Sequence, residues 1–198
     1  MNTREGRLNE PLTDAERQVL LRLARSAIEA ALKGGHPQAQ DLRSMPPALK
    51  ENGASFVTLT VEGGLRGCIG ALEAHQPLAQ DVWEHAIAAA FQDPRFPPVE
   101  GDELAGIRIE ISRLTAPQPL EYSNSEELLA MLRPHIDGVI LKDGYRRATF
   151  LPQVWEKIPD AAEFLEHLCQ KMGAPANLWR TKTLQVLIYQ VEDFHELN

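Results

Sequence analysis

The chain has 198 residues, 43% of them hydrophobic and 24% charged, with a formal net charge of −8. A chain of this length buries roughly 70% of its unfolded surface and needs no staples, and its two cysteines, Cys68 and Cys169, are too few for a disulfide framework. The acidic balance argues against sequence-independent binding to nucleic acid, which needs dense positive charge. No apolar run reaches the length of a membrane span, and the polar opening "MNTREGRLNEPLTDAERQ" lacks the apolar segment of a secretory signal. The expectation is a cytoplasmic protein with one domain over residues 13–195 behind a loose leader, residues 1–12.

Thr13 with Glu16 three residues on matches a capping box, and Val19, Leu20, Leu23, Ala27, Ala30 and Ala31 recur at helical spacing until Gly34-Gly35. Residues 36–50 hold three prolines and read as a connection with a short helix near Pro47–Lys50. In "SFVTLTVEGGLRGCIGAL", Val57, Leu59 and Val61 alternate with Thr58, Thr60 and Glu62, which predicts a β-hairpin turned at Gly63-Gly64. Pro77 suits the first position of a helix that runs to about Gln92. "QDPRFPPVEGDEL" is a proline-rich bend, and "GIRIEISRLT" a strand with Ile107, Ile109 and Ile111 on one face.

Ser123 and Glu126 give a second capping-box match, and "GVILKDGYRRATF" a second hairpin turned at Asp143-Gly144. "LPQVWEKI" reads as a short helix. Asp160 and Glu163 cap "AAEFLEHLCQKM", which Gly173 and Pro175 stop, and "LQVLIYQV" is a late strand. Hairpins without regular βαβ alternation predict an α+β fold, a mixed and mainly antiparallel sheet packed with helices.

The chemistry concentrates in "LRGCIG". If Leu65 to Ile69 is extended, Arg66 and Cys68 share a face, and a guanidinium beside a thiol stabilises the thiolate. Gly67 and Gly70 would let a ligand or another backbone approach closely. The plainer reading makes Cys68 a small packed hydrophobe, with the glycines there for strand packing. Glu73 and His75 follow Cys68 closely enough to supply a base, although an exposed His75 capping the next helix is the simpler assignment. Asp93 and Arg95 either pair across their bend or point into a cleft beside the signature. Arg146, Arg147, Arg180 and Lys182 are candidates for a local basic patch. No nucleophile elbow, nucleotide-binding loop or metal-ligand spacing is present, so no cofactor and no metal are expected.

"LRGCIG", "DPRFPPV", "IEISRLTAP", "GVILKDGYRRATFLPQVWE" and "FLEHLCQKMGAP", in that order, resemble the AMMECR family, whose prokaryotic members are AmmeMemoRadiSam system protein A. The resemblance implies a compact α+β domain with a larger and a smaller lobe and a cleft lined by the signature. It implies no known reaction. It also implies company with Memo-type and radical-SAM proteins, which is an association and not a mechanism. Leu65 to Gly70, Asp93, Arg95, Phe96, Leu151 to Gln153 and Trp155 match its blocks. Two functions stay open: a module that holds a small anionic ligand or a partner segment at Arg66, Gly67, Gly70, Asp93, Arg95 and Gln153, or a thiol-dependent enzyme with Cys68 as its catalytic group.

Overall fold

A computed structural model describes residues 10–34 and 44–197. Most of the expected leader and most of the connection at 36–50 lie outside the described residues. The chain divides into two compact units, one formed by the residues up to Ala116 together with those from Glu192, the other by Pro117–Val191. Helices, 3-10 turns and two antiparallel sheets make an α+β fold, as the hairpins predict.

The first unit begins with helix α1, Asp14–Leu32. The capping box forms as expected: Thr13 Oγ1 accepts the Glu16 N–H, and the Glu16 carboxylate accepts the Thr13 N–H. Gly34, at φ +72°, ends the helix in the left-handed region that glycine adopts without strain. A short helix α2 (Pro47–Lys50) leads into strand β1 (Asn52–Val61). Strands β2 (Gly64–Gly70) and β3 (Gln76–Pro77) and helix α3 (Leu78–Phe91) follow. Strand β4 (Ile107–Leu114) and the last strand, β9 (Val191–His195), complete the sheet in the order β2-β1-β4-β9, with β3 beside β1.

Val57 and Leu59 on β1 and Ile107, Ile109 and Ile111 on β4 point to one face, where they pack with Leu20, Ile28, Leu78 and Val82 of α1 and α3. The opposite face carries Phe56, Thr58, Glu110 and Ser112, all half-buried. Glu192 of β9 accepts hydrogen bonds from Arg17, from Arg113 and from the Leu12 N–H, and Glu196 accepts from Arg25. These pairs pin α1 to the last segment of the chain.

The second unit contains β5 (Gln118–Pro119), α4 (Ser125–Met131), β6 (Gly138–Asp143), β7 (Arg146–Phe150), a 3-10 helix (Pro152–Glu156), α5 (Ala161–Lys171), α6 (Leu178–Thr181) and β8 (Gln185–Tyr189). Its sheet runs β5-β8-β6-β7. Trp155 stacks on Phe164 with ring centroids 3.7 Å apart, and Trp155 Nε1 donates to the Asp137 carbonyl at 2.7 Å. An indole buried in this way is satisfied as well as packed.

Several boundaries differ from expectation for local reasons. The first hairpin turns at Glu62-Gly63, both at positive φ (51° and 80°), one residue before the expected pair. Two left-handed residues in a two-residue loop match the right-handed twist of the flanking strands. The second turns at Gly144-Tyr145, with Gly144 at φ +62°. Asn124, not Ser123, caps α4, because its side chain accepts from both Glu126 and Glu127 N–H groups. Pro77 is the N-cap of α3, so His75 does not cap it. The late strand stops at Tyr189 and resumes as β9, whose charged residues hid it in the sequence.

Candidate functional site

The signature occupies β2, the edge strand of the first sheet. Val57 pairs with Ile69, Thr58 with Cys68 and Leu59 with Gly67, and then Thr60 pairs with Leu65. Arg66 is therefore the extra residue of a β-bulge. A bulge breaks alternation and re-aims its side chain, so Arg66 and Cys68 do not share a partner, contrary to the extended-strand expectation. The Cys68 sulfur lies 3.2 Å from Thr58 Oγ1, on the face away from α1 and α3.

Arg66 reaches along the sheet edge. Nε and Nη2 donate to the two Glu103 oxygens at 2.9 and 3.0 Å, and Nη1 donates to the Pro97 carbonyl at 2.9 Å. Its side chain is only 12% exposed. Hydrogen bonding to Arg66, and then to the Glu100 N–H, lowers the Glu103 carboxyl to about 2. The expected anion cradle at Arg66 is thus occupied by the protein's own groups.

Asp93 and Arg95 do pair. Arg95 Nε and Nη2 donate to the two Asp93 oxygens at 2.9 and 2.6 Å. The pair also completes the strand edge: Asp93 Oδ2 accepts the Cys68 N–H at 2.9 Å, and Arg95 Nη2 donates to the Cys68 carbonyl at 3.2 Å. Because the Cys68 backbone groups point outward, Cys68 and Thr58 form a non-hydrogen-bonded pair, in which side chains come closest. The Arg95 hydrogen bonds hold the Asp93 carboxyl far below the usual carboxylate range. Arg95 is raised chiefly by Asp93 and to a smaller extent by the neighbouring Cys68 thiol. The guanidinium beside the thiol is therefore Arg95 and not Arg66.

The glycines make room for the protein itself. A Cβ on Gly67 would sit 2.1 Å from the Ala89 carbonyl oxygen of α3, so Gly67 admits helix backbone against strand. A Cβ on Gly70 would sit 2.4 Å from the Phe56 ring, which lies over it.

Gln153 belongs to the second unit, exposed on the 3-10 helix. His75 pairs with Glu73 at 3.2 Å, and its side chain is 74% exposed. Arg180 lies over the Trp179 ring, and Lys182 pairs with Asp143 at 2.6 Å, so part of the expected basic patch is engaged locally.

Two polar features escaped sequence reading. Ser55 Oγ donates to buried Asp81 at 2.6 Å, and His85 Nδ1 lies 3.1 Å from the same oxygen. Glu110 pairs directly with Thr58 on the face that bears Cys68. It is half-buried, and its carboxylate has no hydrogen bond or ion pair among the described residues. The strict alternation of "IRIEIS" was its only signal.

These features define an α+β protein whose glycine-rich edge strand is bulged at an arginine and sealed by an Asp-Arg pair from the following loop. The chain belongs to the AMMECR1 family, whose model matches residues 21–194. It is 39% identical to a protein of Methanothermobacter thermautotrophicus, over 94% of this chain and 97% of that one. It is also 39% identical to a protein of Methanosarcina acetivorans, over 93% and 94% of the two chains. The crystal structure of an uncharacterised protein from Pyrococcus horikoshii, PH0010, is similar with a TM-score of 0.74 and 36% identity, over 93% of each chain.

Proposed function

We propose that the chain is a cytoplasmic binding module, and that it recognises its target on the face of the first sheet that carries Phe56, Thr58, Cys68 and Glu110. The observation behind this reading is the engagement of the signature's charged groups. Arg66 is held by Glu103 and the Pro97 carbonyl, and Asp93 and Arg95 by each other and by the Cys68 backbone. A nucleophilic thiol needs an adjacent base or a comparable activating group. Among the described residues the side-chain hydrogen bond to the Cys68 sulfur comes from the Thr58 hydroxyl, which is no base at neutral pH. Cys68 is then a contact on the surface and not a nucleophile.

Memo-type and radical-SAM proteins are the partners that the family resemblance suggests. Calorimetric titration of a purified Memo-type protein and a radical-SAM protein into this chain tests the reading. Binding of either should persist in Cys68→Ser and disappear in Thr58→Lys, which puts bulk and charge on the face without touching the core. Loss of binding in Cys68→Ser together with full binding by Thr58→Lys would refute it.

A further inference from the structure

The sequence points to an anionic ligand because the signature is rich in arginine. The arrangement of the face favours the opposite charge. Arg66 is bound on three nitrogens, and Arg95 spends Nε and Nη2 on Asp93 and Cys68. The unsatisfied charge on this face is Glu110. Its state contrasts with the other acidic groups of the unit: Asp81, Asp93, Glu103, Glu192 and Glu196 all accept hydrogen bonds from side chains. A half-buried carboxylate without a donor loses hydration and gains nothing in return.

The neighbours of Glu110 give the missing donor a shape. Thr58 lies directly opposite it, and beyond Thr58 is Cys68. Phe56 pairs with Ser112, which puts the ring diagonal to Glu110, about 7–8 Å away in ordinary sheet geometry and within reach of both side chains. A carboxylate, two hydroxyls and an aromatic face together suit a compact cation: the carboxylate supplies the counter-charge, the hydroxyls accept further N–H bonds, and the ring attracts positive charge.

We propose that the ligand of this face is a small molecule carrying a protonated primary amine, with Glu110 as its counter-ion and Phe56 as its platform. This rests on the binding reading above and names the ligand class.

Three four-carbon probes test it on the full chain by calorimetry: putrescine, succinate and 1,4-butanediol. Putrescine should give saturable heat, and succinate and the diol none. Glu110→Gln should weaken putrescine about tenfold, as expected when one charge-assisted pair is lost, while keeping the wild-type circular dichroism and melting temperature. Phe56→Leu should weaken it less. Heat from succinate that Thr58→Lys abolishes would overturn the amine assignment and leave the face as the binding surface. Putrescine binding unchanged in both Glu110→Gln and Thr58→Lys would overturn the assignment and the surface together. Absence of heat from putrescine would overturn the assignment, while the protein-partner titration still judges the surface.

Discussion

The Asp93 carboxylate accepts the backbone N–H of Cys68 at 2.9 Å, while its partner Arg95 donates to the Cys68 carbonyl. One side-chain pair thereby satisfies both backbone groups of an edge residue, as a neighbouring strand would. Unpaired edges invite association with other strands, so this loop protects the sheet as well as shaping the surroundings of the thiol. Replacing Asp93 by Ala should speed hydrogen exchange at the Cys68 amide well beyond its effect on β4 amides. Equal acceleration across the sheet would mean that Asp93 acts only through global stability.

Gly67 has no room for a methyl group, because the Ala89 carbonyl occupies its position. Gly67→Ala should cost about 3 kcal/mol or more, at or above the upper end of ordinary overpacking. Gly63→Ala meets no atom within 4 Å, but its φ of +80° makes it a test of backbone strain alone. Denaturant midpoints of the two variants separate crowding from strain.

Acid should loosen the 93–103 segment in a defined window. The Asp93 and Glu103 carboxyls are both lowered in the folded state, Glu103 to about 2. A depressed carboxylate contributes stability that is present above its unfolded pKa, about 4, and lost as pH falls through the folded value. Stability should therefore drop between about pH 4.5 and 2. Arg66→Met should flatten the part of that slope due to Glu103, readable from urea midpoints at each pH.

The two thiols should differ in access. Cys169 is fully buried, and burial pushes its thiol up, whereas Cys68 is half-buried. Iodoacetamide on the native protein should label Cys68 and spare Cys169 until the chain is unfolded, as peptide mass spectrometry would show.

Glu62 adopts φ +51° although it is not glycine. Glu62→Asn gives the Asn-Gly pair that such a turn favours and should stabilise the chain by about 0.5–1 kcal/mol. A melting temperature that falls would show that the Glu62 side chain has a role of its own.

Local rules carried much of the fold. The Thr13 and Asp160 caps, both hairpins and the Ile107-Ile109-Ile111 stripe are short-range patterns, and each appears where its residues predict. The bulge at Arg66 was not legible, because it depends on register across two strands, and without it Arg66 and Cys68 look like partners. The exchange of Arg66 for Arg95 at the thiol has the same origin. Glu103 and Glu110 gave no motif, since one matters through a partner 37 residues away and the other through having none. The roles of Gly67 and Gly70 also needed the structure: sequence shows that space is required, but not that Ala89 and Phe56 fill it.

The most direct test of the binding reading is calorimetry with Cys68→Ser and Thr58→Lys beside the wild-type chain, titrated with a purified Memo-type protein. The reading predicts an affinity for Cys68→Ser within about twofold of wild type, a change below 0.5 kcal/mol, and no measurable binding for Thr58→Lys. Binding that requires the thiol, or a covalent adduct on Cys68 in the recovered complex, would contradict it.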